Sequence, residues 1–98
     1  MNMKLSQRQE DETRVKMLKA LADPARLEII RLLKNSGKEI GCGEVGESID
    51  LSKSTVSYHF KALREAGLTF TRKESREKFV SLNYDAFNKY LSGFLDSL

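Results

Sequence analysis

One cysteine, one histidine and one proline occur in 98 residues, and each scarcity excludes something. A lone cysteine cannot close an internal disulfide, so this is not a stapled secreted mini-domain, and a reducing compartment suits it. One thiol and one imidazole fall short of the three or four converging ligands that a zinc or soft-metal site needs, so no metal and no cofactor are expected. No apolar run is long enough to span a bilayer. The polar first stretch lacks the apolar core of a secretion signal, so the expected location is cytoplasmic with no membrane partner. Paired carboxylates, a Gly-rich phosphate loop and a His–Asp arrangement near Ser57 are absent too, and no enzymatic activity is expected. Internal repeats and low-complexity segments are also missing.

What is there is enough for one small fold. Hydrophobic residues make up 40% of the chain, a core that a domain of this length can use and that dimerisation would supplement. The formal net charge of +3 is unevenly placed. Between Ser52 and Ser81 lie seven cations, Lys53, Lys61, Arg64, Arg72, Lys73, Arg76 and Lys78, against Glu65, Glu74 and Glu77, a surplus of four. The rest of the chain is therefore net −1, and the whole positive excess sits in one contiguous third, as a nucleic-acid footprint would.

The pattern of elements is mainly α with a small β-hairpin. Residues 1–9 are expected to form a flexible N-terminus, and residues 10–98 one domain. A helix is expected from Glu10 to Leu21 with Val15, Leu18, Leu21 and Ala22 on one side. Asp23-Pro24 reads as an N-cap followed by a first helical proline, whose missing N–H would be unpaired there anyway. The next helix runs from Ala25 to about Lys34, with Leu27, Ile30 and Leu33 inward and Ile29 and Leu32 flanking. Ile40 is placed as an isolated bridging strand, and Gly43 to Ile49 as a short helix. After Gly67 the period turns from helical to alternating, which predicts a hairpin with a polar, basic tip from Arg72 to Lys78. Asp85 is expected to cap a last helix reaching the C-terminus, lined by Phe87, Leu91, Phe94 and Leu98.

The segment from Leu51 to Leu68 is the most telling. Val56, Phe60 and Leu63 fall at i, i+4 and i+7, an apolar stripe for the core. Ser54, Ser57, Tyr58 and Lys61 occupy the opposite face, with Arg64 at its border. Hydroxyls, a phenol and cations are the groups that meet phosphates and base edges. Ser52 or Ser54 caps this helix, and Gly67 stops it. The short helix, the turn and this helix make a helix-turn-helix, and the basic hairpin is its wing.

This winged helix-turn-helix resembles the bacterial ArsR/SmtB repressor family. Residues 21–33, LADPARLEIIRLL, and residues 51–68, LSKSTVSYHFKALREAGL, carry the resemblance, together with the wing from Arg72 to Asn83. The resemblance implies a homodimeric repressor that leaves operator DNA when an effector binds. It places Ser54, Thr55, Ser57, Tyr58 and Lys61 against DNA, Lys53 and Arg64 on phosphates, and Arg72, Lys73, Arg76 and Lys78 in the wing's contacts. It puts Val15, Leu18, Phe87, Leu91 and Phe94 of the terminal helices in the dimer interface. Two recognition helices would then meet successive major grooves about 34 Å apart. The alternative is a winged-helix protein-interaction module without operator binding, which would show no retention on DNA or heparin.

Departures from the family bear on the effector. The family's metal sensors often carry a Cys-x-Cys pair at the third helix, where this chain has Gly41 and Gly43 flanking Cys42. Others bind metal through Asp and His on the last helix, and the segment from Asp85 onward has no histidine. His59 flanks the buried stripe and reads as a structural residue. Cys42 is left as the possible redox switch, near a helix N-terminus that favours negative charge and exposed by its glycine neighbours. The wing tip, Glu74-Ser75-Arg76, lacks the family's usual glycine, which suggests a longer or looser turn.

Overall fold

A computed structural model describes the backbone of residues 2–98 and the side chains from Ser6 onward. The first helix, α1, runs Asn2–Leu21. The expected flexible N-terminus is therefore helical from Asn2, and Met1 lies outside the described residues. No glycine or proline interrupts this stretch. Pairs one turn apart brace it, including a 3.2 Å bond from Gln7 to Asp11 and the Arg14 contacts with Glu10 and Asp11. Its buried face also differs from the expected one. Met17, Ala20 and Leu21 enter the core, whereas Val15, Leu18 and Ala22 are exposed. Both sets have helical spacing, so only the packing of α1 on its neighbours decides between them.

Helix α2 (Pro24–Ser36) begins as its sequence dictates. Asp23 accepts from the backbone N–H groups of Ala25 at 2.8 Å and Arg26 at 3.2 Å, and Pro24 occupies the first position. Gly37 ends it in the left-handed conformation, φ 70°. Ile29, Ile30 and Leu33 are fully buried, so Ile29 is core rather than flank. Strand β1 (Ile40–Gly41) leads straight into α3 (Cys42–Ile49) and then α4 (Lys53–Glu65). Strands β2 (Thr69–Glu74) and β3 (Glu77–Leu82) follow, and α5 (Tyr84–Tyr90) completes the order before a 3₁₀ turn at Leu95–Ser97. The antiparallel sheet is ordered β1-β3-β2, with Ile40 opposite Val80. The single bridging strand expected at Ile40 is thus present.

Helix α4 packs on α1, α2, α3 and β2 through Val56, Phe60 and Leu63, which are buried as the stripe predicts. The C-terminal region departs from expectation. Asn83, not Asp85, caps α5 by accepting from the Ala86 N–H at 3.2 Å, while its amide donates to the Gly67 carbonyl at 3.0 Å. One asparagine thus ties the end of α4 to the start of α5. The last helix does not reach the C-terminus. It ends at Tyr90, and Gly93 takes φ 83°, so Phe87 and Phe94 stack across a bend with ring centroids 6.2 Å apart.

Candidate nucleic-acid interface

The recognition helix is set by its cap. Ser52 Oγ accepts from the Thr55 N–H at 3.3 Å and shares a 2.9 Å hydrogen bond with the Thr55 hydroxyl. This settles the cap as Ser52. The Thr55 hydroxyl is thus engaged in the cap, and its half-buried side chain does not line the groove that its helix neighbours form with the wing. Ser54, Tyr58, Lys61 and Arg64 are exposed and Ser57 is half-buried. Together with Phe60, and with Thr71 and Lys78 of the wing, these five side chains line a groove of about 260 Å³. Four of the groove's side chains carry hydroxyls and three carry positive charge, a lining suited to phosphate and base edges.

The period of two in the hairpin sorts its charges. Thr69, Thr71 and Lys73 of β2 pair with Leu82, Val80 and Lys78 of β3 on one side. Lys73 and Lys78 are therefore directly opposite each other and exposed. Like charges so placed destabilise a hairpin unless an anion comes between them. Phe70, Arg72 and Glu74 face the other way, paired with Ser81, Phe79 and Glu77. Arg72 accordingly lies on the face away from the groove. Its Nε and Nη2 donate to the two Glu39 carboxylate oxygens at 3.1 and 2.5 Å, Nη1 donates to Glu74, and the guanidinium lies 4.7 Å from the Phe79 ring centroid. The same fork holds the Glu39 carboxyl below its ordinary range, chiefly by hydrogen bonding, and raises Arg72 further above neutrality.

The wing tip is tighter than its sequence suggests. Glu74 still pairs with Glu77, leaving Ser75 and Arg76 as a two-residue turn, with Ser75 at φ 55°. A serine takes the left-handed position that glycine would hold more cheaply. At the base of the turn a second, smaller cleft brings Lys53, Arg76 and Lys78 together with Cys42, Gly43, Ser57 and Glu77. Lys53 from the start of α4 and two wing cations thus converge, although they are 23 or more positions apart in sequence. Lys73 lines neither depression.

Cys42 is buried, not exposed as its flanking glycines suggest, because β1 and α3 press it against α4. Its sulfur lies 3.8 Å from the Ser57 hydroxyl. His59 is buried as well, and its Nδ1 accepts from Arg26 Nε at 3.0 Å, which requires a neutral ring with its proton on Nε2. Burial is the main reason its pKa falls below the ordinary histidine value; Asp23 opposes that shift and Arg26 adds to it. Among the described residues no cluster of three or more His, Cys, Asp and Glu could hold a metal, and no helix is long and apolar enough to cross a membrane. Phe87 is 1% exposed within one chain, so it belongs to the core and is not free for a partner. Arg26 was missed from sequence because its contacts to His59 and Tyr58 lie 33 and 32 positions away and leave no local pattern.

Comparison with known proteins decides what this geometry belongs to. A family described as a helix-turn-helix domain matches residues 21–69, half of the chain. The arsenical resistance operon repressor of Staphylococcus xylosus is 38% identical over 80 residues, covering 82% of this chain and 74% of its own. The chain belongs to the ArsR/SmtB-type winged helix-turn-helix regulators. A further relative of the family, an uncharacterized HTH-type transcriptional regulator, YceK, of Bacillus subtilis, is 58% identical over all 98 residues and 95% of its own length. Among solved structures, reduced HlyU from Vibrio cholerae superimposes with a TM-score of 0.76 at 30% identity, covering 95% of this chain and 92% of that one. As a member of the ArsR/SmtB family, the chain is a DNA-binding transcription regulator.

Proposed function

We propose that this chain works in the cytoplasm as a homodimeric repressor that binds a pseudo-palindromic operator and leaves it when an effector acts. The observation that carries the reading is the groove between α4 and the wing. There Ser54, Ser57, Tyr58, Lys61 and Arg64 line one wall and Thr71 and Lys78 the other, while the opposite side of α4 is fully packed. The helix can then enter a major groove with the wing alongside it. Lys53, Arg76 and Lys78 supply phosphate contacts from the neighbouring cleft, with Lys73 beside Lys78.

Dimerisation follows from α1. Val15 and Leu18 stand 47% and 49% exposed on it, and Leu91 and Phe94 are only partly covered near the other end of the chain. A second copy would bury them and pair two recognition helices. The relatives named repressors support the negative sign of regulation. Titrating the chain against promoter duplexes, with light scattering for mass, tests the reading. A dimer that prefers one duplex and loses affinity steeply with salt is expected. A monomer with no preference, and with no retention on heparin, points instead to a protein-interaction module.

For the release signal the seat we assign is Cys42. A hydroperoxide entering the cleft that Cys42 lines would be attacked by its sulfur; an S–O bond forms, the O–O bond breaks, an alcohol or water leaves, and Cys42 becomes a sulfenic acid. The added oxygen would press on Ser57, 3.8 Å away on the recognition helix. Hydrogen peroxide should therefore weaken operator binding by the wild type and spare Cys42→Ser. Equal behaviour of the two removes Cys42 from the mechanism.

A further inference from the structure

We infer that Arg26, on α2, is a positioning residue that holds Tyr58 of the recognition helix and thereby sets part of its base preference. The inference rests on the operator reading above. Tyr58 is 63% exposed, the most exposed large apolar-bodied side chain among the described residues. A ring standing that far into solvent must be ordered when DNA binds, and ordering costs affinity unless something fixes it beforehand. Two groups touch it from behind. The neighbouring His59 ring meets it edge-on at 5.5 Å, and the Arg26 guanidinium lies 5.5 Å from its centroid.

Arg26 is itself held on three sides. Its backbone N–H is capped by Asp23 at 3.2 Å, which fixes the first turn of α2. Its Nε donates to His59 Nδ1 at 3.0 Å and its Nη1 donates to the Ala20 carbonyl at 3.3 Å. Two donor directions are thus committed inside the molecule, and the residue is half-buried. It lines neither of the depressions that face DNA. A cation so anchored offers one side of the Tyr58 ring a fixed attractive surface. The consequence is a preset ring orientation rather than a new phosphate contact. His59 serves the same arrangement, since its neutral ring supplies the acceptor that keeps Arg26 in place.

The test uses the whole chain and a duplex that the wild type selects from a random-sequence pool, with a scrambled duplex of the same composition as reference. The measured quantity is the ratio of the two affinities, with the salt dependence of each. Arg26→Ala should lower the ratio about tenfold, equivalent to ~1.4 kcal/mol, while affinity for the scrambled duplex stays within about twofold. The salt slope should not change, because no phosphate contact is lost. Tyr58→Ala should lower the ratio similarly, and adding Arg26→Ala to it should lower the ratio no further. Arg26→Lys keeps the charge but cannot serve His59 and Ala20 together, so it should fall in the same direction by about threefold, a measurement that stands even where the alanine variant does not fold.

Equal weakening of both duplexes with a shallower salt slope would make Arg26 a phosphate contact and overturn the proposal. So would an unchanged ratio accompanied only by a lower melting temperature. A wild-type ratio of one removes the operator reading itself, and this inference with it. A wild-type ratio well above one that both Arg26 variants preserve removes this inference alone.

Discussion

The two faces of the wing hairpin both carry cations and do different things with them. On the inner face, Lys73 and Lys78 sit opposite each other with no carboxylate in ion-pair range among the described residues. On the outer face, Arg72 is clasped by Glu39 and Glu74 and stacked on Phe79. The inner face also roots the wing, through Val80 and Leu82 in the core, while the outer face leaves Phe70 57% exposed. Counting cations along the sequence overstates the charge available to DNA. Strand alternation decides which are free, and a carboxylate donated from outside the hairpin neutralises one of them.

The largest contrast should appear in stability. Leu82→Ala, on the inner face, should cost about 2–5 kcal/mol in a urea titration, since it opens a cavity in a packed core. Phe70→Ala, directly on the outer face, should stay within about 0.5 kcal/mol. Comparable losses would mean that Phe70 is covered in solution, and the contrast between faces would fail. DNA binding should separate the faces next. Lys78→Ala should weaken binding about tenfold, ~1.4 kcal/mol, and lower the salt slope by about one. Arg72→Ala should change affinity less than about twofold, because its charge is already matched. A loss at Arg72 equal to that at Lys78 would show that the outer face also meets DNA.

The smallest expected effect concerns the flank of the recognition helix, where His59 is buried against Arg26. Its folded-state pKa lies below the unfolded one, so the unfolded chain binds more protons in between. The stability it contributes is complete above the ordinary histidine value near 6.5 and declines as pH falls through the folded value. Melting temperature should therefore drop as pH falls below about 6.5 in the wild type. In His59→Gln that drop should shrink, and an identical profile would place the pH sensitivity elsewhere.

Much of the site was legible because it is local. The stripe of Val56, Phe60 and Leu63 forced the opposite residues of α4 outward, and the cap at Asp23 needed only neighbours two and three positions on, whereas the choice of Ser52 over Ser54 came from the structure. The misread residues are those whose environment comes from elsewhere. Cys42 looked accessible between glycines, yet α4 covers it. The last helix carried an unbroken apolar stripe, yet Gly93 bends it and Asn83 rather than Asp85 caps it. Thr55 matched the family's DNA-facing positions, yet its hydroxyl completes the Ser52 cap.

Periodicity and capping chemistry, both short-range, were enough to establish a winged helix-turn-helix with one face of α4 kept for a polyanion. Tertiary structure alone decided which of two equally spaced faces of α1 is core, that Phe87 is spent inside one chain, and that Arg72 is neutralised by Glu39. It also brought Arg26 to Tyr58 across 32 positions. The physical reason is the same in each case. Backbone hydrogen bonds and helical period act within a turn or two, whereas burial and charge pairing depend on what the folded chain places alongside.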